Sequence, residues 1–113
     1  SVDWLEGACT LVPDTLRDWW TMTSMEGVSY IDSKLHRNIV SFCFEDMIHS
    51  ESEVYAIVTA LKPKLRPGAV VVHHDSEHGD DGQQIQRALT RAGVNWRSWL
   101  IEPSDCGIAI WGV

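Results

Sequence analysis

Apolar and polar positions alternate along this chain in blocks that turn signals separate. Pro13 suits the first turn of a helix, and Leu16, Trp19, Trp20 and Thr23 recur behind it at helical spacing, with Asp14 favouring the dipole. Gly27 then reads as the helix cap. Residues 28–31 (VSYI) read as a short strand, and Asp32-Ser33 opens a turn or brief helix to Arg37. Residues 39–44 (IVSFCF) read as a second strand, apolar on both faces as a buried parallel strand is. Ser50-Glu51-Ser52-Glu53 has the form of a capping box, and Val54, Ile57, Val58, Leu61 and Leu65 follow on one helical face. Pro63 lies within that register and predicts a bend or break near Leu61. Pro67-Gly68 marks a turn, residues 69–72 (AVVV) a third strand, and residues 73–81 a strongly polar loop. Ile85, Ala88, Leu89 and Ala92 mark an amphipathic helix capped by Gly93. Residues 96–101 and 107–113 are two last strands, joined closely enough for a hairpin. Residues 1–12 carry no consistent period.

Strands alternating with helices imply right-handed crossovers and a mostly parallel sheet covered on both faces. The expected architecture is a Rossmann-like three-layer α/β sandwich over residues 1–113, closed by an antiparallel strand from the last hairpin. Ligands of such sheets sit at the carboxyl ends of the strands. Asp32 follows the first predicted strand. Glu45, Asp46 and His49 follow the second, and His73, His74, Asp75, Glu77 and His78 the third. Were the second and third strands neighbours, Asp46 and Asp75 would lie roughly 5–10 Å apart, given strand spacing of about 4.8 Å.

Composition narrows the ligand class. The 113 residues carry 9 basic and 16 acidic side chains, a formal charge of −7, which argues against a nucleic-acid backbone as partner. No apolar window is long enough for a membrane helix, and no secretory leader opens the chain. Cys9, Cys43 and Cys106 form no C-x-x-C pair and read as reduced thiols, which points to the cytoplasm. Six tryptophans are many for this length, and they predict either a large buried area or a contact surface. Adjacent Trp19 and Trp20 cannot both face one core on a helix, so one of them is a candidate contact.

Two carboxylates beside an imidazole can hold a hard divalent cation such as Mg²⁺, and the imidazole shifts preference toward Mn²⁺, Fe²⁺ or Zn²⁺. His49 or His73 can instead take a proton from a substrate hydroxyl, because imidazole titrates near neutrality. The same residues also admit plainer readings: Ser50, Asp80 and Asp81 as helix caps, and residues 73–78 as a solvated loop or the ligand run of a metal-dependent hydrolase.

The stretch SFCFEDMIHSESEVYAIVTALKPKLRPGAVVVHHD resembles the second half of class I S-adenosylmethionine-dependent methyltransferases, closest to small-molecule O-methyltransferases. The resemblance rests on a strand ending Phe42-Cys43-Phe44-Glu45-Asp46, then His49, then Leu65-Arg66-Pro67-Gly68, then a strand ending His73-His74-Asp75. It covers roughly residues 28–113. It implies that Asp46 lies by the cofactor's sulfonium and the acceptor, that Asp32 contacts the adenine or sugar edge, and that His49 is a candidate base. In metal-dependent members the positions of Asp46, His74 and Asp75 hold the ion (Mg²⁺ or Mn²⁺), and here His74 replaces an acid. The family's first strand and glycine-rich turn have no counterpart in this sequence, where Gly7 stands alone.

The expected activity is methyl transfer from S-adenosylmethionine to a hydroxyl of a small molecule, within a longer or multi-chain enzyme. The alternative is a methyltransferase-like module without catalysis that serves binding or assembly. A sheet without its central strand exposes an unpaired edge, so a second copy or a partner chain is expected there, with Trp4, Trp19 or Trp20 in the contact.

Overall fold

A computed structural model describes residues 13–19, 25–47, 49–102 and 106–113. Among these, three α-helices and four strands form one sheet with a helical layer. The chain order is a 3-10 turn (Asp14–Trp19), α1 (Gly27–Lys34), β1 (Val40–Glu45), α2 (Glu51–Leu61), β2 (Leu65–His74), α3 (Gly79–Arg91), β3 (Trp96–Leu100) and β4 (Gly107–Gly112). The sheet order is β1-β2-β4-β3, with β1 and β2 parallel and β4 antiparallel to both its neighbours. This is the mixed α/β sheet expected from the alternation of elements, closed by the last hairpin.

The first predicted strand is the main correction. Residues 28–31 belong to α1, and Gly27 opens that helix instead of ending the one before. Both Glu26 carboxylate oxygens cap it, accepting from the Val28 and Ser29 N–H groups at 2.9 Å each. Ile31 buries against the core from this helix. A good cap and one buried side chain override the β-preference of Val28, Tyr30 and Ile31. Of the helix predicted over 13–27, the described part is a single 3-10 stretch, and Trp20 lies outside the described residues.

The other elements follow their local chemistry. Ser50 caps α2, its hydroxyl accepting from the Glu53 N–H at 3.4 Å. Pro63 ends that helix as predicted: α2 stops at Leu61 and a 3-10 turn, Lys62–Lys64, leads into β2. Pro67-Gly68 does not separate strands. It forms an outward bulge within β2, with Gly68 at φ 82° and its N–H donating to the Val113 carbonyl at 2.8 Å.

Alternation along the strands sorts the sheet's two faces. Ala69, Val71, Ala109 and Trp111 face the helices and pack with side chains of α1, α2 and α3 in one core. Phe42, Phe44, Val70, Val72, Ile108 and Ile110 share the opposite face through the strand register. The described helices all contribute to the core on the first face, and on the second Phe42 and Phe44 are 62 % and 54 % exposed. The doubly covered second strand of the sequence reading is thus, among the described residues, an edge strand with one bare apolar face.

Candidate functional site

Parallel pairing of β1 with β2 sets Glu45 opposite His73, so the next residues, Asp46 and His74, leave the sheet side by side. His74 Nδ1 lies 3.3 Å from Asp46 Oδ1 and 3.0 Å from Asp75 Oδ1. Asp75 turns away from the strand in the left-handed region at φ 58°, which swings its carboxylate back over the strand ends. His49, from the loop before α2, is buried and brings Nδ1 to 3.9 Å from Asp75 Oδ2. One donor atom each from Asp46, His49 and Asp75 lie within 4.8 Å of one another. The two carboxylates proposed from strand order therefore share one rim.

The sequence-predicted residues divide at this point. Asp46, His49, His74 and Asp75 come together. Asp32 does not: it is an exposed residue of α1 and lines a hollow with Arg37, Pro63 and Lys64, beside the start of β2. The rim lies at the other end of that strand. Asp32 loses its strand-end position because the strand that would have placed it is a helix.

Beneath the rim lies an arrangement that sequence reading missed. Glu45 and His73 point inward and are buried, His73 completely. Trp111 Nε1–H donates to His73 Nε2 at 3.0 Å, which fixes the proton of the neutral ring on Nδ1. That N–H donates to Glu45 Oε2 at 2.8 Å, and Glu45 Oε1 accepts the Met47 N–H at 3.0 Å. The buried carboxylate thereby clamps the chain on either side of Asp46. Parity gave the clue: Glu45 is two residues from Cys43, and His73 two from Val71, on the strand faces that meet the core. His73 belongs to β2 and is not a loop ligand, which removes the hydrolase reading built on residues 73–78.

Cys106 also escaped the sequence reading. A strand antiparallel to β2 must begin at the carboxyl end of β2, so the residue before β4 arrives at the rim. The Ser76 N–H donates to the Gly107 carbonyl at 3.2 Å there, and donor atoms of His74, Asp75 and Cys106 lie within 4.8 Å of one another. Burial acts to raise the Asp75 pKa. The Cys106 thiol and the His74 ring donating to the carboxylate, with the charges of His74 and His49, outweigh it and hold Asp75 below the usual carboxylate range.

His74 Nδ1 and His49 Nε2 are buried atoms. His74 Nδ1 stands 3.0 Å from Asp75 Oδ1 and 3.3 Å from Asp46 Oδ1, contacts that are attractive with a proton or a cation on that nitrogen and repulsive without one. The donor atoms close enough to share a cation are those of Asp46, His49 and Asp75 and those of His74, Asp75 and Cys106.

No protein-family description and no curated protein sequence matches the chain. Its fold does match solved structures. A Corynebacterium glutamicum protein superposes with a TM-score of 0.60 at 16 % identity, over 86 % of this chain and 51 % of that one. A candidate methyltransferase from Thermoplasma acidophilum superposes with a TM-score of 0.55 at 14 % identity, over 98 % of this chain and 55 % of its own. The chain has the fold of one half of these proteins. It spans about half the length of each, and at such identities the likeness is one of fold.

Proposed function

We propose that the rim carries the acceptor side of methyl transfer from S-adenosylmethionine to a hydroxyl oxygen of a small molecule. One observation supports this most: parallel pairing of β1 and β2 collects Asp46, His49, His74 and Asp75 at the strand ends, where such sheets bind ligands. The fold shared with a candidate methyltransferase agrees with it.

S-adenosylmethionine supplies an electrophilic methyl on a sulfonium. In the displacement an O–CH3 bond forms as the S–CH3 bond breaks, leaving a neutral thioether. The hydroxyl proton goes to His49, whose side chain is buried beside Asp75, and the Asp75 carboxylate stabilises the imidazolium formed. Asp46, held through the Glu45 clamp, orients the acceptor. A divalent ion at Asp46, His74 and Asp75 would lower the hydroxyl's pKa. This sequence has no glycine-rich turn to contact the cofactor's methionine and ribose, and in this reading those contacts would come from further chain or a partner.

The test is transfer of labelled methyl to a panel of small hydroxyl acceptors, by this chain within its full assembly. Asp46→Asn and His49→Gln are expected to lower kcat by about 100-fold or more, the usual range for a lost general base. Activity unchanged in both variants would overturn the assignment.

A second reading has its own support. The apolar face carrying Phe42, Phe44, Val70 and Trp99, exposed among the described residues, suits an assembly module that packs against a second copy or partner chain.

A further inference from the structure

We propose that the metal at this rim is a borderline-soft ion of the zinc class, held by the Cys106 thiolate together with His74 Nδ1 and the Asp75 carboxylate. The proposal deepens the metal part of the reading above and rests on the same rim, but not on methyl transfer itself.

Three observations carry it. The three donors (one sulfur, one nitrogen, one oxygen) come from two different segments and lie within 4.8 Å of one another. Four-coordinate zinc sites have bond lengths of about 2.0–2.3 Å, which sets donors roughly 3.5 Å apart, so a closure of up to about 1 Å brings these three onto one ion. His74 Nδ1 is a buried atom 3.0 Å from Asp75 Oδ1 and 3.3 Å from Asp46 Oδ1, where a proton or a cation must offset the two carboxylates. The Cys106 thiol already approaches Asp75 closely enough to hydrogen-bond its carboxylate, so the sulfur faces the same point as the imidazole nitrogen.

Donor chemistry then selects the ion. Mg²⁺ takes an octahedron of oxygens, and this set offers a thiol and an imidazole. Thiolate with imidazole suits Zn²⁺ or Co²⁺. As the ion binds, the S–H bond breaks, the sulfur pair forms the metal–sulfur bond and the proton passes to solvent, with no change of oxidation state. Three protein ligands leave a fourth position, on the side of Asp46, for water or the acceptor oxygen.

The competing set is Asp46, His49 and Asp75, which holds no sulfur and would favour Mn²⁺. The two sets share Asp75 and give different spectra. Titration of the purified protein with Co²⁺, followed by absorbance, is expected to show a thiolate-to-cobalt charge-transfer band, and Zn²⁺ is expected to abolish it by displacement. Cys106→Ser should remove the band and weaken Zn²⁺ binding by about 100-fold or more, whereas Cys43→Ser and Cys9→Ser should leave both unchanged. Cobalt binding without a sulfur band, lost in His49→Gln but kept in Cys106→Ser, would overturn the proposal in favour of the oxygen-rich set. Absence of any binding would overturn it outright. Separate titration with S-adenosylhomocysteine keeps the two readings apart. A sulfur band without nucleoside binding retains the metal and ends the methyl-transfer reading; the converse ends the metal.

Discussion

Glu45 and His73 show how one strand pair serves both core and rim. Their side chains point into the core while the residues after them, Asp46 and His74, reach solvent. A buried charge this close to the helical layer is tolerable because both oxygens accept hydrogen bonds. Glu45→Leu would leave the His73 Nδ1–H and the Met47 N–H without partners, so we expect a loss of about 2–4 kcal/mol in denaturant unfolding. Trp111→Phe removes only the outer donor and should cost about 1–2 kcal/mol. Equal stability of Glu45→Leu and wild type would refute the clamp. Cys43 provides a pH signature. Burial, with the nearby Glu45 charge, pushes its thiol up from 9.0 to about 11. The folded state thus holds a proton that the unfolded state releases. This contribution is complete below pH 9 and is lost as pH rises through about 11, on the order of 3 kcal/mol at most. Cys43→Ala should flatten that alkaline decline relative to wild type; an unchanged decline would contradict the assignment.

Among elements, β1 and β2 were legible and α1 was not. Continuous apolar runs, a Pro-Gly signal and polar residues at both strand ends located the pair. Their parallel pairing follows from the intervening helix that Ser50 caps. Residues 28–31 misled because their strand preference is intrinsic, whereas the Glu26 cap and the packing of Ile31 are contextual. Asp46, His49, His74 and Asp75 could be gathered from strand order alone. Cys106 and the Glu45–His73–Trp111 relay could not, because both depend on β4 entering between β2 and β3, a register no local pattern announces. Among the described residues β1 is an edge strand, with Phe42 and Phe44 exposed along it. Cover by a second copy would make the thermal midpoint rise with protein concentration, and Phe42→Ser with Phe44→Ser should abolish that rise. A midpoint independent of concentration, with unchanged stability on addition of partner chain, would contradict cover at this edge.

At the scale of the molecule, among the described residues, one sheet divides the labour: a helical layer supports one face, the strand ends carry the polar chemistry, and the other face is apolar and exposed at Phe42 and Phe44. Of the tryptophans expected at a contact, Trp19 is 88 % exposed among the described residues, and Trp4 and Trp20 lie outside them. Among the described residues no helix is long and apolar enough to cross a membrane, and Cys43 and Cys106 are in no disulfide. The chain spans about half the length of each solved neighbour. The most direct measurement is calorimetric titration of S-adenosylhomocysteine into the protein, with and without divalent metal. We expect saturable heat and a thermal shift, both reduced in Asp46→Ala. Neither heat nor shift under any metal condition would contradict a methyl-transfer role for this rim.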